Sequence, residues 1–294
     1  MIVYRFVERE KTSFHLATLG RALGVSPSGY RAWRKGPSLR RARADQDLLA
    51  AIESIHRASG GTYGSPRIHA ALAAAGMAVG RKRVARLMRE AALVGVHRRR
   101  RARPVRRTPH RARTTAPDLV RRAFRAEAPD RLWVADITSL PTGEGFLHLA
   151  AIIDVFSRRV VGWSMAEHLR SELVLAALDA AVASRQPKPG LVHHSDRGTQ
   201  YTSLAYGERL ASAGIAASMG SPGTAYDNAL AESFFASLET ELAARVSWST
   251  RAQARHDLFD WIERFYNRTR IHSSLGYLSP AEFERRQRAK IDAA

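Results

Sequence analysis

The sequence contains no cysteine. Disulfide bonds and thiolate metal sites are therefore excluded, and a reducing compartment is the natural setting. No run of about 18 apolar residues is present, so the sequence predicts no transmembrane helix. The opening stretch, MIVYRFVERE, is charged too early for a signal peptide. We therefore expect a cytoplasmic protein.

Lysine is scarce, with 5 lysines against 42 arginines, and acidic residues are scarce at the front of the chain. Residues 1–128 hold 29 Lys and Arg but only 8 Asp and Glu, whereas residues 129–294 hold 18 and 19. A high-GC coding bias would explain arginine in place of lysine, but it does not explain the asymmetry. The guanidinium group suits phosphate oxygens, so the pattern indicates a nucleic-acid-binding part joined to a near-neutral module.

Residues 13–34 show the pattern of a helix–turn–helix. Apolar residues at helical spacing precede Gly24, which suits the left-handed position after a helix. Ser26 is a good N-cap, and Pro27 is a good first residue for a second helix. Helix pairs of this kind occur with and without DNA binding, so both readings stay open here.

A second helix pair follows the glycine-rich joint SGGTYG. Gly80 precedes its second helix, whose first turn holds Arg81, Lys82 and Arg83. The helix dipole disfavours cations at that end, and breaking a local rule often indicates function. We interpret the three cations as candidate phosphate contacts, with a merely solvated helix start as the alternative.

Residues 97–125 contain 12 arginines, one acid and three prolines. Such a stretch cannot bury a core, so we expect it to be flexible when free and to lie along phosphates on DNA. A nuclear-type address signal is the alternative. The candidate DNA contacts in this stretch are Arg98, Arg99, Arg100, Arg101, Arg106 and Arg107.

From residue 129 the sequence changes to short β-rich runs, LWVADITSL, GFLHLAAIIDVFSRRVVGWSMA and GLVHHSD. A helix with Ser171 as its N-cap separates the third strand from the fourth. Three strands, a helix and a returning strand predict an α/β domain with a mixed sheet. The tail predicts a helix around 250–266, a polar turn and a short final helix.

Three acids in this part share a possible chemistry. Asp136 lies inside an apolar strand, where a charged group needs a partner. Asp196 follows the end of another strand, where ligands bind in α/β sheets, and Glu232 lies off the apolar stripe of a helix. Taken singly, each has an ordinary structural explanation. Together they fit phosphodiester chemistry, which uses two divalent cations about 4 Å apart held by hard oxygen ligands.

The order of these acids, with 35 residues between the last two, resembles the acidic triad of retroviral-integrase-like transposases. The amino-acid sequence resembles the second-frame product of bacterial insertion sequences over nearly the whole chain. The matching pieces are YGSPRIHAAL, VGRKRVARLM, LWVADITSLPTGEGFLHLAAIIDVFSRRVVGW, HHSDRGTQYTS, YDNALAESFFASLETEL and FYNRTRIHSSLGYLSPAEF.

The resemblance implies a ribonuclease H-like core, a mixed five-stranded sheet with flanking helices, preceded here by small all-α helix–turn–helix units. It implies that Asp136, Asp196 and Glu232 bind two Mg²⁺ ions, for which Mn²⁺ can substitute. Such enzymes hydrolyse one strand at each element end, and the freed 3′-hydroxyl then attacks a phosphodiester without a covalent enzyme intermediate.

The implied partners are double-stranded DNA, both element ends and target, and further copies of the chain on that DNA. Relatives often need the product of an upstream reading frame, fused by frameshifting, so such a partner or fusion is also implied. Action at the bacterial nucleoid follows, with no membrane partner.

The domains expected are a helix–turn–helix-like DNA-binding segment (1–58), a second such unit (59–96), an Arg-rich flexible DNA-tracking linker (97–127), an integrase-like core with C-terminal helices (128–285) and a basic tail (286–294). Near the triad, Gly198 would let the backbone approach without a Cβ in the way. His194 is expected to support the site or contact DNA, and Asp227 or Asn228 to cap the glutamate helix.

One position departs from the family pattern. Seven residues after Glu232, on the same helix face, such proteins commonly carry Lys or Arg for the DNA end, but this chain has Glu239. Our hypothesis is that Arg197 or another nearby arginine makes that contact instead.

Other functions stay open at this point. A zinc hydrolase is disfavoured, because His193 and His194 are adjacent on a strand and point to opposite faces. A metal-dependent, structure-selective nuclease of the same fold and a non-catalytic DNA-binding regulator are the alternatives to a transposase.

Overall fold

The computed structural model describes residues 2–35, 39–96, 116–121, 123–220 and 229–292. The helices before the sheet are α1 (Ile2–Glu10), α2 (Leu16–Leu23), α3 (Pro27–Lys35), α4 (Leu39–Ala58), α5 (Ser65–Ala74) and α6 (Arg81–Glu90). The strands are β1 (Leu132–Thr142), β2 (Gly145–Asp154), β3 (Val160–Ala166), β4 (Val192–Ser195) and β5 (Ala216–Met219). The remaining helices are α7 (Ser171–Arg185), α8 (Leu204–Ser212), α9 (Ala229–Glu241), α10 (Arg251–Phe259), continued by a π-helical stretch (Asp260–Tyr266), and α11 (Pro280–Asp292).

The first helical unit comprises α1, α2 and α3, which share a small core. Gly24 ends α2 in the left-handed region, with φ 65°. The Oγ of Ser26 accepts a hydrogen bond from Gly29 N at 3.0 Å, and α3 begins at Pro27. The helix–turn–helix predicted from these residues is therefore confirmed as a structure.

Helix α4 belongs to the second helical unit. Its residues Leu48 and Ile52 share one core with apolar residues of α5 and α6. The boundary expected at residue 58 does not hold, because it would cut α4 away from the helices that bury its apolar side. The second unit therefore begins at Leu39, the start of α4.

The core domain is built on a five-stranded sheet with the order β3-β2-β1-β4-β5. β1, β2 and β3 pair antiparallel, whereas β4 pairs parallel with β1 and β5 pairs parallel with β4. This mixed sheet, flanked by helices, confirms the fold class predicted from the sequence.

Alternation along β1 sends its side chains into two separate cores. Trp133 and Ala135 pack with α7 and α8 on one face, which we call the α7 face. Val134 packs with α9, α10 and the π-helical stretch on the other, which we call the α9 face. Both faces of the sheet are thus covered, as expected where a parallel strand pair is buried.

The last part of the segment expected to be a flexible linker, residues 116–121, is packed against the core domain instead. Val120 is buried in the core of the α9 face, and Leu119 N donates a hydrogen bond to Ser218 Oγ of β5 at 2.9 Å. Residues 116–121 belong to the core domain because this short segment is apolar enough to bury. The six candidate arginines between residues 98 and 107 lie outside the described residues.

Two helix ends also differ from expectation. Ser171 is the first helical residue of α7, and Arg170, with extended backbone, occupies the N-cap position. Residues 286–292 are not a separate tail, because α11 runs from Pro280 through them. An ion pair at i,i+4 spacing, Glu282 with Arg286 at 2.6 Å, supports that helix.

Within the described parts of the chain, no helix has both the length and the apolar character needed to cross a membrane.

Close packing between β3 and α7 leads to a stability prediction. A Cβ on Gly162 would lie 2.5 Å from Ala181 N, whereas a Cβ on Gly207 in α8 would meet no atom within 4 Å. We expect Gly162→Ala to lower the free energy of unfolding by about 1–3 kcal/mol through overpacking. Gly207→Ala, the matched control, should raise it by about 0.5–1 kcal/mol by favouring the helix. Urea denaturation measures both, and an unchanged Gly162→Ala midpoint would contradict the packing described.

Candidate active site

The pairing of β1 with β4 places two of the predicted acids side by side. The two strands run parallel, and Val134 is opposite His194 in their register. Asp136 and Asp196 each lie two residues beyond the last paired positions, Asp136 within β1 and Asp196 just past the end of β4. Extending the register by two residues predicts that the two aspartate backbones are neighbours beside the carboxyl end of β4, since adjacent strands are about 4.8 Å apart.

The carboxylate of Asp196 is held by the turn that follows it. Its Oδ1 accepts a hydrogen bond from Gly198 N at 2.9 Å. A Cβ on Gly198 would lie 2.9 Å from the same oxygen and 3.2 Å from Gln200 Oε1. The glycine therefore lets the backbone approach the carboxylate closely, which fixes where that carboxylate points.

Asp136 is half-buried in β1. Its Oδ1 accepts a hydrogen bond from Ile137 N at 2.8 Å. By alternation Asp136 shares the α9 face with Val134. The side chain thus lies on the side of the sheet that α9 covers.

The third acid is on α9. Leu230, Ala231, Phe234 and Leu238 of this helix are buried in the core of the α9 face, whereas Glu232 is exposed in its first turn. Among the described residues, no group of three or more His, Cys, Asp or Glu side chains is close enough to hold a metal ion. The fold therefore sets Asp136 beside the strand end that precedes Asp196 and packs the helix of Glu232 on the same face as Asp136, with the glutamate exposed.

Asn228, expected beside this helix start, lies outside the described residues, as do residues 221–227.

The two adjacent histidines do point to opposite faces of the sheet. His193 Nε2 lies 3.0 Å from the Tyr206 hydroxyl on the α7 face, and burial lowers the pKa of His193 to about 3, so this ring is neutral. His194 Nδ1 lies 2.9 Å from Ser218 Oγ of β5, and its ring meets Phe124 edge-on. The two rings therefore cannot share one ion.

His194 is 1% exposed. A direct DNA contact by this side chain does not fit that burial, so of the two expected roles only support of the site fits the structure. Sequence reasoning missed its partner Ser218, because nothing in the spacing of the sequence indicates that β5 lies next to β4.

The candidate cations differ in their surroundings. Arg81 and Lys82 are exposed at the start of α6. Arg83 instead donates a hydrogen bond from Nε to Asp45 Oδ1 of α4 at 2.6 Å. Arg197 is half-buried and donates from Nε to Gly220 O at 2.8 Å, which holds the end of β5 against the Asp196 turn.

Comparison with known proteins identifies the family. Integrase core domain families match residues 126–225 and 213–280, and an HTH-like domain family matches residues 43–101. The chain is 39% identical over 290 residues to the transposase for insertion sequence element IS629 of Shigella sonnei, covering 97% of this chain and 96% of that protein. The chain belongs to the insertion-element DNA transposases. It is accordingly a polynucleotidyl transferase with a DDE-type integrase core.

Two further proteins resemble this transposase. The transposase for IS904 of Lactococcus lactis is 38% identical over 244 residues, which cover 83% of this chain and 96% of that protein. The catalytic core of HTLV-2 integrase, solved in complex with magnesium, has 17% identity and a TM-score of 0.42, covering 54% of this chain and 99% of that one.

The Asp196 turn yields a prediction for this transposase. Gly198→Ala should displace the Asp196 carboxylate, since the new methyl group would lie 2.9 Å from its Oδ1. Because Asp196 is a predicted metal ligand, we expect the rate of strand transfer to fall about tenfold or more, since ångström-scale misplacement of a catalytic group is costly. Gly207→Ala is the control for the same chemical change in α8. Full strand-transfer activity in Gly198→Ala would show that the carboxylate does not need this position.

Proposed function

We propose that this transposase cleaves the 3′ ends of an insertion element and joins them to target DNA, with Asp136, Asp196 and Glu232 as the ligands of two Mg²⁺ ions. The observation that supports the proposal is the β1–β4 register, which sets Asp136 on the strand next to the one that ends just before Asp196, and ligands of α/β sheets bind beyond such strand ends. The bound cations would activate the attacking oxygen and stabilise charge on the leaving oxygen, and Mn²⁺ would replace Mg²⁺.

The residues fit this ligand set in their chemistry. All three donors are carboxylates, the hard oxygen ligands that Mg²⁺ prefers, and Mg²⁺ takes only a few of them from a protein. Asp136 is carried by a strand paired on both sides, and Asp196 by the turn that Gly198 fastens. Two of the ligands are thus preorganised by backbone, which limits the reorganisation that catalysis requires.

Glu232 supplies the adjustable ligand. Its helix is anchored to the α9 face by apolar side chains, but the glutamate itself is exposed in the first turn. Binding of the DNA end would bring it toward the aspartates, and its carboxylate would complete the ligand set only in that complex. Assembly of a catalytic site only when the correct substrate binds is induced fit, which makes an enzyme selective for that substrate.

The DNA-binding roles extend from the helical units to the core. Arg81 and Lys82 are exposed and would contact phosphate, whereas Arg83 would have to leave Asp45 to do so. Arg197 would reach the DNA end from the Asp196 turn. The six arginines between residues 98 and 107 would neutralise phosphates along the duplex. The substrate would be double-stranded DNA of the bacterial nucleoid, bound by several copies of the chain or by its fusion to an upstream-frame product.

The catalytic assignment is tested by Asp136→Asn. We expect Mg²⁺-dependent strand transfer on an oligonucleotide donor to fall by about two orders of magnitude or more, because a neutral amide lacks the negative charge with which a carboxylate binds the catalytic Mg²⁺. Asp179→Asn is the matched control, since Asp179 lies on α7 in an exposed ion pair with Arg209. Activity that survived in Asp136→Asn would refute the assignment. Wild-type protein that nicks without joining would be a nuclease, and one that binds without cleaving would be a regulator.

Position 239 is tested by reversing its charge. If α9 faces the DNA end two turns beyond Glu232, Glu239→Lys should tighten donor-end binding and steepen its salt dependence by about one counterion. Glu239→Gln is the intermediate control, because it removes the negative charge without adding a cation. Binding titrations at several salt concentrations measure the effect. An unchanged donor-end affinity in Glu239→Lys would place position 239 away from the DNA.

A further inference from the structure

A buried ion pair fixes the far end of the helix that carries Glu232. Glu241 is the last residue of α9. Its Oε2 accepts a hydrogen bond from Arg270 Nε at 2.7 Å, and its Oε1 accepts one from Arg270 Nη2 at 2.7 Å. The two side chains are only 7% and 5% exposed. Arg270 Nη2 also donates to Ser237 Oγ, one turn back on α9, at 3.1 Å.

The second helical unit contacts the same glutamate. Arg67 of α5 donates from Nη1 to Glu241 Oε1 at 3.2 Å. Beside it, the Tyr63 hydroxyl accepts from Ile271 N at 2.9 Å and donates to Thr269 O at 3.2 Å. The helix–turn–helix-like unit is therefore hydrogen-bonded both to the end of α9 and to the segment that carries Arg270.

A third contact lies further along the chain. Arg245, just beyond α9, donates from Nη1 to Gly60 O at 2.7 Å. Apolar packing adds to the junction, since Phe265 and Ile271 pack against the core shared by α4, α5 and α6.

Burial of this ion pair is not explained by stability alone. Desolvating two charges is costly, and a well-packed apolar pair often stabilises a protein as well. A bidentate arginine–carboxylate pair does fix direction and distance, because the guanidinium fork matches the carboxylate. Together, Arg67, Glu241 and Arg270 give the end of α9 a defined position relative to the second helical unit.

We propose that Arg67 and Arg270 are positioning residues that couple the second helical unit to Glu232 through α9. The coupling rests on the proposed role of Glu232 as a metal ligand. Glu232 and Glu241 are nine residues apart on one continuous helix, about 13 Å along its axis at 1.5 Å per residue. A shift of the second helical unit on DNA is thereby passed to the catalytic glutamate.

The test uses the full chain bound to a donor end that lacks its 3′-hydroxyl, so that metal binding is measured without turnover. Mn²⁺ binding to this complex is followed by electron paramagnetic resonance, and donor-end affinity is measured separately. We expect Arg67→Gln to weaken Mn²⁺ binding about tenfold, as loss of a group that orients a metal ligand does, with donor-end affinity within about twofold of wild type because the DNA-facing residues are untouched.

Arg86→Gln is the matched control. Arg86 of α6 pairs with Asp45 of α4, so its loss removes a comparable ion pair inside the second helical unit without touching α9. Arg270→Lys is the second variant, because it keeps the charge but loses the bidentate geometry, and it should weaken Mn²⁺ binding in the same direction. Unchanged Mn²⁺ binding in both Arg67→Gln and Arg270→Lys would overturn the proposal, and so would an equal loss in Arg86→Gln.

Glu232→Gln separates this proposal from the one on which it rests. If Glu232→Gln left strand transfer and Mn²⁺ binding intact, the glutamate would not be a ligand, and the proposed function itself would fail. If Glu232→Gln abolished both while Arg67→Gln changed neither, only the coupling would fail. Non-additive losses of Mn²⁺ binding in the double variant of Arg67→Gln with Glu232→Asp would support coupling through the glutamate.

Discussion

The parallel pairing of β1 with β4 is the constraint on which the proposed active site depends. It sets Asp136 beside the strand end that precedes Asp196, 60 positions later in the sequence, and it does so with backbone hydrogen bonds rather than with side chains. β1 is held in place from its other side by β2 over ten paired positions, and helices cover both faces. A slip of β1 by one residue against both neighbours would turn Asp136 to the α7 face, away from α9.

Much of the site could be predicted because local patterns carried it. Alternation along LWVADITSL placed Asp136 on a strand, and the glycine turn after Asp196 marked a strand end. Strands β4 and β5, with four residues each, are too short to give a period, so the neighbour of β4 could not be deduced. That is why Ser218, which holds His194, had no sequence signal: a contact between strands depends on topology, which spacing along the chain does not encode.

Charge was a weaker guide than periodicity. Arg83 is a cation in the same helix turn as Arg81 and Lys82, yet it pairs with Asp45, 38 residues earlier. A cation that faces solvent and one that faces a distant carboxylate have the same local pattern, and only the packing of α4 beside α6 separates them. The same packing moved the domain boundary, because α4 could be assigned to a unit only by the core that buries Leu48 and Ile52.

Helix α9 carries an exposed acid, Glu232, near its start and a buried acid, Glu241, at its end. An apolar stripe that runs from Leu230 to Leu238 fixes it to the sheet, and its last residue, Glu241, is fixed by a buried ion pair with Arg270. Glu232, near its start, is exposed. Leu230 and Ala231, which directly precede the glutamate, are buried, so the start of the helix is held against the sheet as its end is held by Arg270. Of the three acids, the glutamate is the exposed one, while the Asp136 and Asp196 carboxylates each accept a hydrogen bond from nearby backbone.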